Sequence, residues 1–358
     1  MMNNKTNYRT EQEKFWTDEF GTDYIDRNKG KKLLASNLDF FSKALSQANH
    51  LKSCIEFGAN IGMNLKALNF LYPNIELSAV EINKDAVKEL NNLIDPENVY
   101  NNSILEWSPT KKYDLVLIRT IWDYYKKTDE FNDFLVRLED ENINVLNPVD
   151  IIRWNMDKKY LMQLESEGYD IIPTIFNFAG EDSFSLALDK GWEKAVLKPM
   201  ISAGSYDTFV LDMCQKAKFD GLIEQYFQNR PYMLQEFVSE IALGEISTIT
   251  FTEPGKGSDV VLSYSIKKVP KEGDYRVQND FGGVYSLHEV DAKIKQLSHK
   301  ITTRFNDRLL YQRLDGIWRN GKFLIMELEL VEPDLYLNFS KQALNQWVGI
   351  LERILNKN

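Results

Sequence analysis

Residues 310 to 330 leave the chain little choice of local structure. Arg313-Leu314-Asp315 and Met326-Glu327-Leu328-Glu329 alternate polar and apolar side chains at period two, and a short turn, Arg319-Asn320-Gly321-Lys322, separates them. The pattern predicts a hairpin of strands Leu310 to Trp318 and Lys322 to Leu330. On it Glu327 and Glu329 face one side, and Arg313 and Asp315 share a face on the partner strand. Three carboxylates and an arginine therefore converge, while Met326, Leu328 and Leu330 are expected on the opposite, buried face. Carboxylates so close need a cation to offset their repulsion. Oxygen-only ligation suits Mg²⁺, with Mn²⁺ as the alternative.

Composition narrows the chemistry further. The chain has 358 residues, long enough for two or three domains. It carries a net charge of −10, which argues against a nucleic-acid partner. Its three histidines, His50, His288 and His299, form no H-E-x-x-H motif, and Cys54 and Cys214 are far apart, so histidine or thiolate metal sites and a disulfide framework are not expected. Met1 to Phe15 lacks an apolar signal core, and no apolar run reaches the ~18 residues of a membrane span. The expectation is a soluble cytoplasmic protein with no membrane partner.

The first third alternates strands and helices. A helix is predicted over residues 8–20, with Thr10 and Glu13 as a capping box, and another from Asn37 to Leu51. Strands follow at Ser53 to Phe57, Glu76 to Ile82, Val99 to Leu105 and Tyr113 to Arg119, with helices at Asn64 to Leu71 and Lys84 to Leu93. This order implies a parallel sheet. Glu56-Phe57-Gly58-Ala59-Asn60-Ile61-Gly62 sets glycines at a strand–helix turn, where backbone amides can approach a ligand, and Glu81 ends the next strand, where an acidic residue commonly takes ribose hydroxyls. Glu56, Gly58, Gly62 and Glu81 are thus candidates for S-adenosylmethionine.

The remainder is richer in strands. Strands are predicted at Ala195 to Lys198, Phe209 to Leu211, Tyr232 to Val238, Glu245 to Phe251 and Val260 to Lys268. Helices are predicted at Phe131 to Glu141, Asn155 to Glu167, within Ser286 to Leu309, and Ser340 to Leu355. Lys198 ends a strand before the small-residue loop Ser202-Ala203-Gly204-Ser205, which suits phosphate oxygens, and Lys158 precedes a helix. Lys267 and Lys268 point to opposite faces, and Lys268 is the favoured one.

Two resemblances organise these features. Thr10 to Trp16, Glu56 to Asn64 and Ala79-Val80-Glu81-Ile82-Asn83 resemble the first half of small methylases associated with pseudaminic acid biosynthesis. The second half of that fold, which would build the methyl-acceptor site, is replaced by Thr120-Ile121-Trp122-Asp123-Tyr124-Tyr125. From Tyr113 to about Trp347 the chain resembles the ATP-grasp superfamily, in the branch that contains O-ureido-D-serine cyclo-ligase. The carrying motifs are Ile118-Arg119-x-x-Trp122-Asp123-Tyr124, Asn147-Pro148, Arg153-Trp154-Asn155-x-Asp157-Lys158, Gly273-Asp274-Tyr275-Arg276-Val277-Gln278 and Met326-Glu327-Leu328-Glu329-x-x-Glu332-Pro333.

The ATP-grasp resemblance implies ATP as cofactor. Lys158 and Lys198 would hold its phosphates, with Lys268 as a further ATP contact, and Gln235, Glu236, Phe237 and Val238 would form the adenine hinge. Glu245 would take the ribose, and Asp315, Glu327 and Glu329 would bind Mg²⁺. Lys198, Arg276 and Arg313 would serve catalysis, the two arginines facing the transferring phosphoryl group and the acyl phosphate. Glu329 stands where asparagine is common in that superfamily. The expected fold is α/β followed by α+β: a Rossmann-like parallel half-domain over residues 1–119 joined to an ATP-grasp domain over 120–358. The expected activity is ATP-dependent joining of a small-molecule carboxylate to an amine through an acyl phosphate. A methyltransferase, a bifunctional fusion and a non-catalytic ATP-binding protein are the alternatives. The identity of acid and amine and the oligomeric state stay open.

Overall fold

The structure, a computed structural model, describes residues 25, 30–45, 51–103, 107–108, 111, 115–118, 124–140, 145, 147–178, 180, 182–202, 205–254, 260–277, 282–306, 308–331 and 333–355. The chain divides into two compact units, Met1–Tyr124 with Leu344–Asn358, and Tyr125–Ala343. The predicted helix over 8–20, its capping box, Arg119, Trp122, Asp123, Gln278 and Glu332 lie outside the described residues.

In the first unit, helix α1 (Lys31–Ala44) precedes β1 (Ser53–Phe57), α2 (Met63–Leu71), β2 (Glu76–Val80), α3 (Lys84–Leu90), β3 (Val99–Tyr100) and β4 (Leu115–Ile118). The four strands form one parallel sheet in the order β3-β2-β1-β4. The central strands are buried over Cys54–Phe57 and Leu77–Val80, Glu56 and Ser78 included, because both faces are covered. Cys54, Leu77 and Ala79 pack with Leu65, Leu68 and Leu90 on one side, and Ile55, Phe57 and Val80 pack with Tyr100 and Trp107 on the other. Helix α10 (Lys341–Leu355) contributes Leu344 and Val348 to the first of these clusters. The third strand is two residues long where seven were expected, and the first described helix runs six residues earlier than its periodicity suggested.

The second unit holds α4 (Thr128–Asp140), α5 (Val149–Met156), α6 (Lys159–Ser166), β5 (Thr174–Asn177), α7 (Ser183–Asp189), β6 (Lys194–Pro199), β7 (Phe209–Asp212), α8 (Lys216–Leu222), β8 (Tyr232–Glu236), β9 (Glu245–Thr252), β10 (Val260–Val269), β11 (Val284–His288), α9 (Ala292–Arg304), β12 (Tyr311–Arg319) and β13 (Lys322–Glu329). They build two antiparallel sheets, β5-β8-β6-β7 and β11-β10-β9-β12-β13. The core of this unit packs α5, α6 and α9 against β12 and β13 through Ile151, Leu161, Leu164, Ile301, Leu314, Ile325 and Leu328. Strands β5 and β11 and helices α7 and α8 were not anticipated. The single helix expected from Asn155 to Glu167 is two helices: the Lys158 backbone N–H leaves the helical ladder and donates to Met200 O at 2.9 Å. Among the described residues, no helix is long and apolar enough to cross a membrane.

The hairpin forms as predicted, with Arg313 opposite Glu329 and Asp315 opposite Glu327. Its turn residues Asn320 and Gly321 both have positive φ, 51° and 74°, as the primed hairpin turns require. One expectation is corrected. Register shifts after Asp315, so that Gly316 faces Ile325 and Met326 is an extra residue on β13. This bulge turns Met326 away from Leu328 and Leu330 and into a separate apolar cluster with Phe237 and Val238.

Candidate active site

The site in the second unit is assembled at strand positions of both sheets. Lys158, at the start of α6, is buried. Its ammonium donates to Ser202 O at 2.8 Å and lies 3.0 Å from Glu327 Oε1. Lys198, on β6, is partly buried. Desolvation pulls its ammonium down to about 8, with Lys158 acting the same way and Glu327 and Glu245 opposing. Glu245 opens β9 and sits 2.5 Å from the Lys268 ammonium, which is also 3.7 Å from Asp315. Burial pushes the Glu245 carboxyl up, against the pull of Lys268. Lys267 projects to the other face, over Gly244.

Asp315 is the most enclosed carboxylate of the three on the hairpin, 3% exposed. It accepts from Ser247 Oγ at 2.5 Å and from Arg313 Nη2 at 2.9 Å. Burial alone would raise its pKa, but Arg313 and Lys268 outweigh burial and hold it below the usual carboxylate range. Arg313 also bonds Glu329 and the Asp334 carbonyl. Glu329 is pushed up to about 7 by burial, with Asp315 and Glu327 adding to the rise and Arg313 opposing it. Ser247 escaped the sequence reading, although its place two residues after Glu245 on one strand face was the available signal.

Beside this charged cluster lies an apolar one. Ile172, Val238, Ile317 and Leu324 are buried in it, with Phe237, Tyr275 and Met326 packed against them. The predicted hinge residues therefore divide by role. Gln235 is buried and donates to Thr174 Oγ1 at 3.0 Å, tying β8 to β5. The Glu236 carboxylate is held by Arg319 at 2.7 Å. Phe237 and Val238 face the apolar cluster. Arg276 pairs with Asp274 at 2.8 Å and lies over the Tyr275 ring.

The donor chemistry at Asp315, Glu327 and Glu329 fits a hard divalent cation, since all the donors are carboxylate oxygens on neighbouring positions of one hairpin. In this arrangement Lys158, Lys268 and Arg313 neutralise them. Among the described residues, no group of three or more His, Cys, Asp or Glu side chains is gathered as a metal cage.

In the first unit, Glu81 Oε2 accepts from the Asn60 amide at 2.7 Å and Oε1 from the Asn83 amide at 2.8 Å. Glu81 thus clamps the glycine turn to the loop after β2. Burial raises its pKa, and those two amides oppose the rise. Glu56 accepts from Asn64 Nδ2 at 2.7 Å. Gly58 and Gly62 have φ of 68° and 69°. Gly62 has the backbone that glycine favours, and a Cβ there would also fall 2.7 Å from the Leu90 and Leu93 methyl groups, so the turn itself accounts for the glycine.

Comparison with known proteins agrees with this geometry. Residues 181–320 match the family described as prokaryotic glutathione synthetase, ATP-grasp domain, and residues 99–147 match the N-terminal domain of D-cycloserine synthetase DcsG. The cycloserine biosynthesis protein DcsG of Streptomyces lavendulae is 23% identical over 270 residues, covering 71% of this chain and 87% of that protein. The crystal structure of D-cycloserine synthetase DcsG superposes with a TM-score of 0.61 at 18% identity, covering 85% of this chain and all of that one. A D-alanine–D-alanine ligase from Bacillus anthracis complexed with ATP gives 0.53 at 16% identity, covering 86% of this chain and 99% of that one. A D-alanyl-alanine synthetase A from Vibrio cholerae gives 0.61 at 11%, with the same coverage. With its two antiparallel sheets and the charged cluster drawn from both, the chain has the fold of the ATP-grasp ligases.

Proposed function

We propose that this chain is an ATP-dependent ligase that joins a small-molecule carboxylate to an amine through an acyl phosphate, releasing ADP and phosphate. The observation that carries the reading is the placement of Lys158, Lys198, Arg313 and Lys268 around Asp315, Glu327 and Glu329, next to an apolar cluster. ATP would lay its adenine against Phe237, Val238 and Met326, and its phosphates against Lys158 and Lys198. Those lysines would exchange carboxylate for phosphate oxygens.

The chemistry then needs no side-chain nucleophile. An oxygen of the substrate carboxylate attacks the γ-phosphorus, the bond to the bridging oxygen of ADP breaks, and ADP leaves. The amine nitrogen attacks the acyl carbon, phosphate departs, and the nitrogen loses a proton to give the amide. Arg313 holds the transferring group and spreads its negative charge, and Lys198 does so from the opposite sheet. Asp315 and Ser247 fix the plane of Arg313 and keep it aimed. Mg²⁺ bound at Asp315, Glu327 and Glu329 would neutralise charge on the phosphates.

For the first unit we favour a scaffold over a methyltransferase, because the Glu81 carboxylate already serves two backbone amides. The test of the main reading is the nucleotide product. Incubation with Mg-ATP and a cell metabolite extract should give ADP and phosphate together with a new amide by mass spectrometry. AMP and pyrophosphate would mean adenylation and sink the acyl-phosphate mechanism.

A further inference from the structure

Tyr336 lies past the hairpin in an irregular stretch and has no role in the chemistry above. It is 6% exposed. Its backbone, at φ 50° and ψ 35°, occupies the left-handed region that bulky residues avoid. Such a conformation persists where the surroundings enforce it, and functional sites are where it concentrates. Asp334 Oδ1 accepts the Tyr336 backbone N–H at 2.8 Å. The rings of Tyr285 and Phe339 stand edge-on to it, with centroids at 5.6 and 6.3 Å. Its own ring carries the Arg313 guanidinium at 5.5 Å and the Lys268 ammonium at 5.7 Å.

The hydroxyl is the part open to a ligand. Although the residue as a whole is 6% exposed, its oxygen still reaches solvent. Among the described residues this one has no hydrogen bond, although the backbone of the same residue is fully engaged. Burial keeps the phenol protonated against the opposing pull of Arg313 and Lys268, so the group is a donor. Its position along the site is set by the pleat of β12. Ile317 belongs to the apolar cluster, Asp315 is the next residue on that face, and Arg313 the one after. Tyr336 covers Arg313. A nucleotide with its base at Ile317 would bring its terminal phosphate to Arg313. The acid that accepts the phosphoryl group must then approach from the side Tyr336 occupies.

We propose, resting on the ligase reading above, that Tyr336 is a substrate-binding residue whose hydroxyl donates a hydrogen bond to the carboxylate of the acid substrate. The ring is locked by Tyr285, Phe339 and the two cations, so the donor is positioned before substrate arrives. Hydroxylamine traps acyl phosphates as hydroxamates. The full chain with Mg-ATP, hydroxylamine and a panel of D- and L-amino acids and small hydroxy acids should yield hydroxamate with at least one acid. For that acid, Tyr336→Phe is expected to raise KM ~10- to 100-fold, the weight of a hydrogen bond to a charged group, while KM for ATP moves less than about twofold. Tyr336→Leu, which also removes the ring from Arg313, is expected to lower kcat as well. If Tyr336→Phe keeps the wild-type KM and only Tyr336→Leu is impaired, the ring is a packing element and the proposal fails alone. If the wild type yields no hydroxamate with any acid, the ligase reading fails and takes this proposal with it.

Discussion

Among single side chains, Glu327 is where the charge balance of the site turns. It pairs with Lys158 at 3.0 Å and also moderates Lys198. Glu327→Gln keeps the shape and removes the charge. The Mg-dependent part of the thermal shift with a non-hydrolysable ATP analogue should vanish, and its survival would remove the metal assignment. Lys198 supplies a pH signature. Its ammonium, held at about 8 in the free protein, would be favoured again by a phosphate. ATP binding should then take up a proton above that pH, and affinity should fall as pH rises from about 8 toward the ordinary lysine value of ~10.4. The same depression makes the unfolded chain bind more protons across that window, so this group's contribution to the stability of the free protein rises with pH there. Isothermal titration between pH 7 and pH 10 checks the first statement, and Lys198→Arg should flatten the profile.

The hairpin of β12 and β13 shows what a sequence can and cannot announce about an element. Arg313, Asp315, Glu327 and Glu329 were legible because a period of two is a property of the strand itself. The same alternation set Lys267 and Lys268 on opposite faces, but it does not say which of the two turns toward the cluster. Met326 was not legible, because a bulge belongs to the pairing of two strands and leaves no mark on either alone. Tyr336 was not, because a left-handed backbone in a loop has no period to read. The broken helix at Lys158 was missed because the competing acceptor, Met200 O, lies far along the chain. The bulge has a mechanical partner in Gly316. A Cβ there would collide with the Leu324 carbonyl oxygen and meet the Phe323 ring at 2.6 Å. Gly316→Ala should destabilise the protein by ~1–3 kcal/mol in chemical denaturation, the usual scale of overpacking. Gly321→Ala, with nothing within 4 Å, should cost only the strain of its positive φ.

For the molecule as a whole, the expectation to test is that no methyl group is transferred. The glycine turn, Glu56 and Glu81 can form on the strands present, but Glu81 is committed to the Asn60 and Asn83 amides. Calorimetry with S-adenosylmethionine, paired with a radiolabelled transfer assay over sugar-nucleotide acceptors, should show no transfer. Transfer that disappears on Glu81→Ala would make the chain a methyltransferase and reverse the scaffold reading.

The return of Leu344 and Val348 to the core of the first unit carries a consequence for synthesis. Topologically, the second unit is an insertion between the parallel sheet and the helix that completes its packing. Cys54, Leu65 and Leu77 leave the ribosome early, while α10 follows more than two hundred residues later. At ~5–20 residues per second, the first core waits on the order of tens of seconds for its last piece. During that interval the nascent chain exposes apolar surface that α10 later covers, and chaperone demand should peak there.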